Sequence, residues 1–120
     1  EAARLARREN SAVARAGGAD GSVRAILSDL ALRSQMIASA SFADRLVRHS
    51  AGRVQLRPQP HRFGDFHVLR SAGVPAVLFE SGYISNAEDE ALLRTPAQRT
   101  RIVQALARSI EADIASRAIR

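Results

Sequence analysis

The sequence contains no cysteine and no tryptophan, and aromatic residues make up only 4% of its 120 positions. Without cysteine there is neither a disulfide scaffold nor a thiolate-ligated zinc site. That absence does not fix a compartment. No run of about 18 apolar residues occurs, so no segment reads as a membrane-spanning helix. No leader is visible either. Glu1 opens directly on a helical pattern, so the native N-terminus, with any export signal, is expected upstream.

What the sequence does hold is aliphatic and basic. Hydrophobic residues reach 46%, much of it alanine, so the core must be built from Leu, Ile and Val. That supply suits helices laid on a small sheet better than a β-sandwich. The 18 Lys+Arg against 12 Asp+Glu give a formal net charge of +6. Such a balance admits an anionic partner: nucleic acid, anionic lipid or an anionic cell-wall polymer. The arginines are scattered through every helical stretch and no aromatics interleave with them, which speaks against nucleic acid.

Along the chain, residues 1–10 carry a helical pattern, and Ala16-Gly17-Gly18-Ala19-Asp20-Gly21 breaks it. Ser22 reads as an N-cap. Val23, Ile26, Leu27, Leu30, Ile37 and Leu46 then follow a 3.6-residue period toward His49. Ser34, Ala38 and Ser41 on this stripe suggest close packing, and Ser39-Ala40-Ser41 marks a place for a break. Ala51-Gly52 ends the helix. Pro58, Pro60 and Gly64 make residues 54–64 an extended connector, and 65–71 suit a short helix. Val74-Pro75-Ala76-Val77-Leu78-Phe79-Glu80 is a continuous apolar run ending in a carboxylate, the pattern of a parallel strand covered on both faces. Ser85 and Glu88 fit a capping box, and Thr95-Pro96 opens a last helix. In that helix Ile102, Leu106, Ile110 and Ile114 recur every four residues.

Only one strand, at about 75–80, is legible, and one strand is not a sheet. The expected fold class is therefore α/β: helices packed on a mostly parallel twisted sheet, of which this chain supplies mainly helices and that one core strand. Glu80 stands where open α/β sheets bind ligands, at the carboxyl end of a strand, with Gly82 in the turn behind it. A carboxylate so placed suits general acid or base chemistry. The plain alternative is a solvated glutamate at a strand end.

The segment from Phe66 to Asn86 decides between the two. It closely resembles the zinc-dependent N-acetylmuramoyl-L-alanine amidases of bacterial cell walls, in the words F-x-V-L-(K/R) and P-(A/S)-V-L-hydrophobic-E-x-G-(F/Y)-hydrophobic-S-N. Asp89, Glu90 and Leu92 or Leu93 match the continuation of that pattern, and Leu5-Ala6-Arg7-Arg8-Glu9-Asn10 resembles an upstream L-A-x-x-E-N helix of the same family. The resemblance implies that residues 1–120 are the C-terminal portion of one amidase catalytic domain. It implies hydrolysis of the amide between N-acetylmuramate and L-alanine, with Glu80 as general base and acid. Gly82, Tyr83, Ser85 and Asn86 would then be structural, Gly82 through an unusual backbone angle and Ser85 and Asn86 as caps.

The resemblance further implies a zinc ion held by two histidines and a glutamate that precede the L-A-x-x-E-N helix. No metal ligand is expected in this chain. His49, His61 and His67 have no metal-ligand spacing, and a self-contained site of His61, His67 and Glu80 is disfavoured. The 120 residues alone are expected to be inactive. Cell-division members of the family carry an inserted regulatory helical segment, and residues 11–50 occupy its place. No glutamate lies between Asn10 and Phe79 to occlude a zinc, which leaves Asp20 or Asp29 for that part. The partners implied are peptidoglycan and an activator protein, in a periplasmic or extracellular setting, with no membrane span and no nucleic acid. The competing expectation is a non-enzymatic basic helical module that binds an anionic polymer or nucleic acid by charge.

Overall fold

In the computed structural model, residues 3–4, 6–7, 23–70 and 73–119 are described. Ala3, Arg4, Ala6 and Arg7 are helical, as the pattern over 1–10 requires, and Ala6 is buried. The breaker cluster 16–21, the Ser22 cap, Ser71, Ala72 and Asp20 lie outside the described residues. The ordered elements are helix α1 (Val23–Ser50), a 3₁₀ turn (His67–Leu69), helix α2 (Ala87–Arg94) and helix α3 (Pro96–Ala118). Helix α1 runs unbroken through Ser39-Ala40-Ser41, so the small residues there do not interrupt it. Gly52, at φ 74°, ends it in a left-handed conformation that suits glycine.

The chain divides into two compact units. The first comprises Glu1–Ser41 and Arg62–Val77. Here the apolar stripe of α1 stands in the open: Val23, Ile26, Leu27, Leu30 and Ile37 are all exposed. The periodicity located a helix but not a buried face, because no described residue of this unit covers the stripe. The tie that does form is polar. Ser39 Oγ donates to the Gln35 carbonyl at 2.8 Å and accepts the Ala76 backbone N–H at 3.0 Å. A small side chain is what lets a neighbouring backbone approach the helix this closely, and Phe66 adds a buried ring to the same unit.

The second unit comprises Phe42–His61 and Leu78–Arg120. Helices α2 and α3 pack on each other here. Thr95 ends α2 and begins α3, with Pro96 in the first turn, where a missing N–H costs nothing. Thr95 is the N-cap by position only: its hydroxyl donates back to the Ala91 carbonyl at 2.9 Å. The buried row of α3 is Ala105, Ser109 and Asp113 rather than the isoleucine row. Ile102 and Leu106 are half-buried, while Ile110 and Ile114 are exposed. Asp113 is buried yet paired: Arg45 Nε donates to its Oδ1 at 2.9 Å, and Arg117 Nη2 lies 2.5 Å from Oδ2.

The strand expected at about 75–80 is not formed. Among the described residues no strand is present, and Val74, Leu78 and Phe79 are exposed rather than covered on both faces. A strand needs a partner to take its backbone N–H and C=O groups, and no ladder forms on this segment. The molecule described is mostly helical, which fits a piece of an α/β domain without displaying the sheet.

Candidate functional site

Glu80 closes the apolar segment and is exposed. The turn behind it is built by three local devices. Gly82 adopts φ 149°, and a Cβ there would lie 3.2 Å from Cβ of Asp89. The site therefore demands glycine on both conformational and steric grounds. The Asn86 N–H then bonds the Tyr83 carbonyl at 2.9 Å, closing the turn. Finally Asn86 caps α2, its Oδ1 accepting the N–H groups of Glu88 and Asp89 at 3.0 Å each. The cap is thus Asn86 and not the Ser85–Glu88 box, because Asn86 is the last non-helical residue and its amide oxygen already takes the free donors of the first turn.

Four side chains converge on this turn. The Tyr83 hydroxyl donates to Glu80 Oε2 at 3.3 Å. The Tyr83 backbone N–H bonds Asp89 Oδ2 at 2.9 Å. Arg57, from the connector after α1, donates from Nη2 to that same Asp89 oxygen at 2.7 Å. The Arg57 guanidinium also sits over the Tyr83 ring, 4.6 Å from its centroid, a cation–π geometry. The Tyr83 N–H, the Arg57 hydrogen bond and the Arg57 charge together hold the Asp89 carboxyl below its ordinary range, against a smaller opposing effect of burial. Sequence reasoning found Glu80, Gly82, Tyr83 and Asn86. It placed Asp89 only as a first-turn acid and missed Arg57, whose sole signal was one cation in a proline-bearing stretch.

The histidines do not gather. His61 Nδ1 lies 2.7 Å from Asp44 Oδ1, His67 opens the 3₁₀ turn and is exposed, and His49 is in the last turn of α1. Among the described residues no three His, Cys, Asp or Glu side chains are grouped to hold a metal ion. The donors among the described residues do not fit a zinc site. Asp29 is exposed and paired with Arg33 at 2.9 Å. No helix among the described residues is long and apolar enough to cross a membrane. An open concavity of about 400 Å³ lies elsewhere, lined by Gly52, Arg53, Arg101, Gln104, Ala105 and Arg108.

The turn, the carboxylate before it and the helix after it lie within a stretch that matches a known family. Residues 13–112 match the family model described as N-acetylmuramoyl-L-alanine amidase, and the chain belongs to that family. Among individual proteins it is similar to "N-acetylmuramoyl-L-alanine amidase AmiA" of Salmonella typhimurium, with 31% identity over 110 residues, 88% of this chain and 38% of the relative. The protein of the same name from Escherichia coli strain K12 gives the same identity and coverage. "Probable cell wall amidase LytH" of Staphylococcus saprophyticus is 44% identical over 48 residues, 40% of this chain and 16% of that protein. The chain thus spans 38% of the length of the first two relatives. No solved structure matches it.

Proposed function

We propose that residues 1–120 are the C-terminal portion of the catalytic domain of a zinc-dependent N-acetylmuramoyl-L-alanine amidase acting on peptidoglycan in the periplasm or outside the cell. The reaction is hydrolysis of the amide between N-acetylmuramate and the L-alanine of the stem peptide. Glu80 is its proton carrier. Its carboxylate takes a proton from the attacking water as the C–O bond forms, then delivers it to the alanine nitrogen as the C–N bond breaks. The products are a lactyl carboxylate and a free amine. The observation that carries this role is an accessible carboxylate at the end of the apolar run, with a hydrogen bond from the Tyr83 hydroxyl.

Zinc enters the proposal only as a requirement of the whole protein. Its ligands are assigned, as the family resemblance implies, to residues that precede the Leu5-Ala6-Arg7-Arg8-Glu9-Asn10 segment. In a full-length parent Glu80→Ala is expected to lower kcat by at least about 100-fold with zinc content unchanged. Near wild-type turnover by that variant would remove Glu80 from the chemistry.

Residues 11–50 are proposed as an inserted regulatory segment of a cell-division amidase, answering to an activator protein. The exposed apolar stripe of α1 supports that reading. The Arg33 pairing leaves Asp29 as a poor candidate for occluding a metal. Full turnover by the parent with no activator present counts against regulation.

A further inference from the structure

We infer that Arg57 is a positioning residue for Glu80, clamping the turn behind it through the Tyr83 ring and the Asp89 carboxylate. The inference rests on the proposed role of Glu80 in proton transfer. Its ground is a closed set of contacts within one compact unit. Arg57 grips Tyr83 twice: directly through the ring at 4.6 Å, and indirectly through Asp89 Oδ2, which accepts both the Arg57 Nη2 donor at 2.7 Å and the Tyr83 N–H at 2.9 Å. Ring and backbone of one residue are held from the same guanidinium.

What is held then acts on the carboxylate. Glu80 is exposed and reaches its position through several rotatable bonds, each with more than one staggered state. The Tyr83 hydroxyl reaches Glu80 Oε2 at 3.3 Å, a long hydrogen bond of the kind that shortens when substrate closes a site. A donor on a fixed ring narrows the carboxylate to one side of the turn, whereas a donor on a free ring narrows nothing. Gly82, at φ 149°, adds backbone freedom beside Tyr83, which the contacts of Arg57 and Asp89 offset.

An exposed Arg–Asp pair contributes little to stability in general, and here the two side chains are 51% and 22% exposed. The clamp therefore predicts an effect on turnover without a matching effect on folding. Lysine keeps a cation near the ring but loses the planar fork that stacks on it and reaches Asp89 at once.

The test is steady-state kinetics on a soluble N-acetylmuramoyl-peptide with a full-length parent protein, comparing Arg57→Met, Arg57→Lys, Glu80→Ala, Glu80→Asp and the Arg57→Met/Glu80→Asp double variant. Arg57→Met is expected to lower kcat about 10-fold with KM within about 2-fold of wild type, and Arg57→Lys to recover part of that loss. In the Glu80→Asp background, where the carboxylate is already withdrawn, the effect of Arg57→Met is expected to fall to about 2-fold or less. Turnover by Arg57→Met equal to wild type, with Glu80→Ala inactive, overturns the clamp and leaves Glu80 in place. So does a loss of equal size in both backgrounds alongside a lowered melting temperature, which marks a folding role. Turnover by Glu80→Ala itself overturns the proposed function, and the clamp with it.

Discussion

Asp89 shows how much one side chain can be asked to do. Its backbone N–H is taken by the Asn86 cap, and its carboxylate takes the N–H of Tyr83 and the charge of Arg57. Both donors favour the ionised form, so its folded-state pKa lies below the ordinary value of 3.8. The sign follows directly. A carboxyl whose pKa is depressed by folding contributes stability that is fully present above 3.8 and is lost as the pH falls through the lower, folded value. Urea midpoints of a full-length parent and its Asp89→Asn variant should differ at pH 7 and draw together as the pH is taken below 3.8. A gap that stays constant with pH would mean the carboxylate is held by geometry alone. Part of this residue environment was legible in the sequence. Gly82 announced itself, because turn chemistry is local and residue-specific, whereas the helix cap is one residue later than the Ser85–Glu88 pattern indicates. Arg57 did not, because its partners lie 26 and 32 positions away and nothing in a lone arginine states what it will meet.

At the scale of elements, the end of α1 and the junction of α2 with α3 were legible in the sequence and the buried faces were not. Thr95-Pro96 separated α2 from α3 as read, and Ala51-Gly52 ended α1. The four-residue recurrence of Ile102, Leu106, Ile110 and Ile114 marked a helix, yet the row that disappears from solvent is Ala105, Ser109 and Asp113, about 100° around the axis. Small residues were underweighted: they bury completely because they let neighbours close in, and Ser109 satisfies its hydroxyl on the Ala105 carbonyl at 2.7 Å. Asp113 is the costly member of that row. Its side chain is only 7% exposed and is balanced by Arg45, itself 18% exposed, and by Arg117. Replacing Asp113 with Ala removes the carboxylate that neutralises the half-buried Arg45 and should destabilise the protein by about 3 kcal/mol. Replacing both partners, as Arg45→Met with Asp113→Leu, should recover most of that loss, since the two charges go together and Arg117, the other partner of Asp113, is exposed enough to be solvated. Chemical denaturation of the two variants side by side checks it. A double variant no more stable than the single one would mean the pair is needed for more than its own neutralisation.

For the molecule as a whole, the telling element is the segment from Val74 to Glu80. Its sequence reads as a strand buried on both faces, whereas here it forms no ladder, with Val74, Leu78 and Phe79 exposed and Pro75, Ala76 and Val77 half-buried. The two descriptions agree if the segment's backbone partners belong to sequence other than these 120 residues, as the 38% coverage of the AmiA relatives allows. Periodicity reports what a segment is suited to, whereas a strand exists only once a neighbour accepts its hydrogen bonds. Amide exchange separates the cases. In this chain Ala76 has a specific acceptor in Ser39 Oγ, a single bond to a hydroxyl rather than a ladder. In a full-length parent, strand pairing would slow exchange at Val77, Leu78 and Phe79 by at least about 100-fold relative to the 120-residue chain. Slowing at those amides would place Glu80 at the carboxyl end of a true sheet strand, the position at which α/β folds set their reactive groups. Equally fast exchange in both proteins would mean the run is a loop. The sheet expectation would then fall, while the turn from Glu80 to Asn86, which is held by its own contacts with Arg57 and Asp89, would stand.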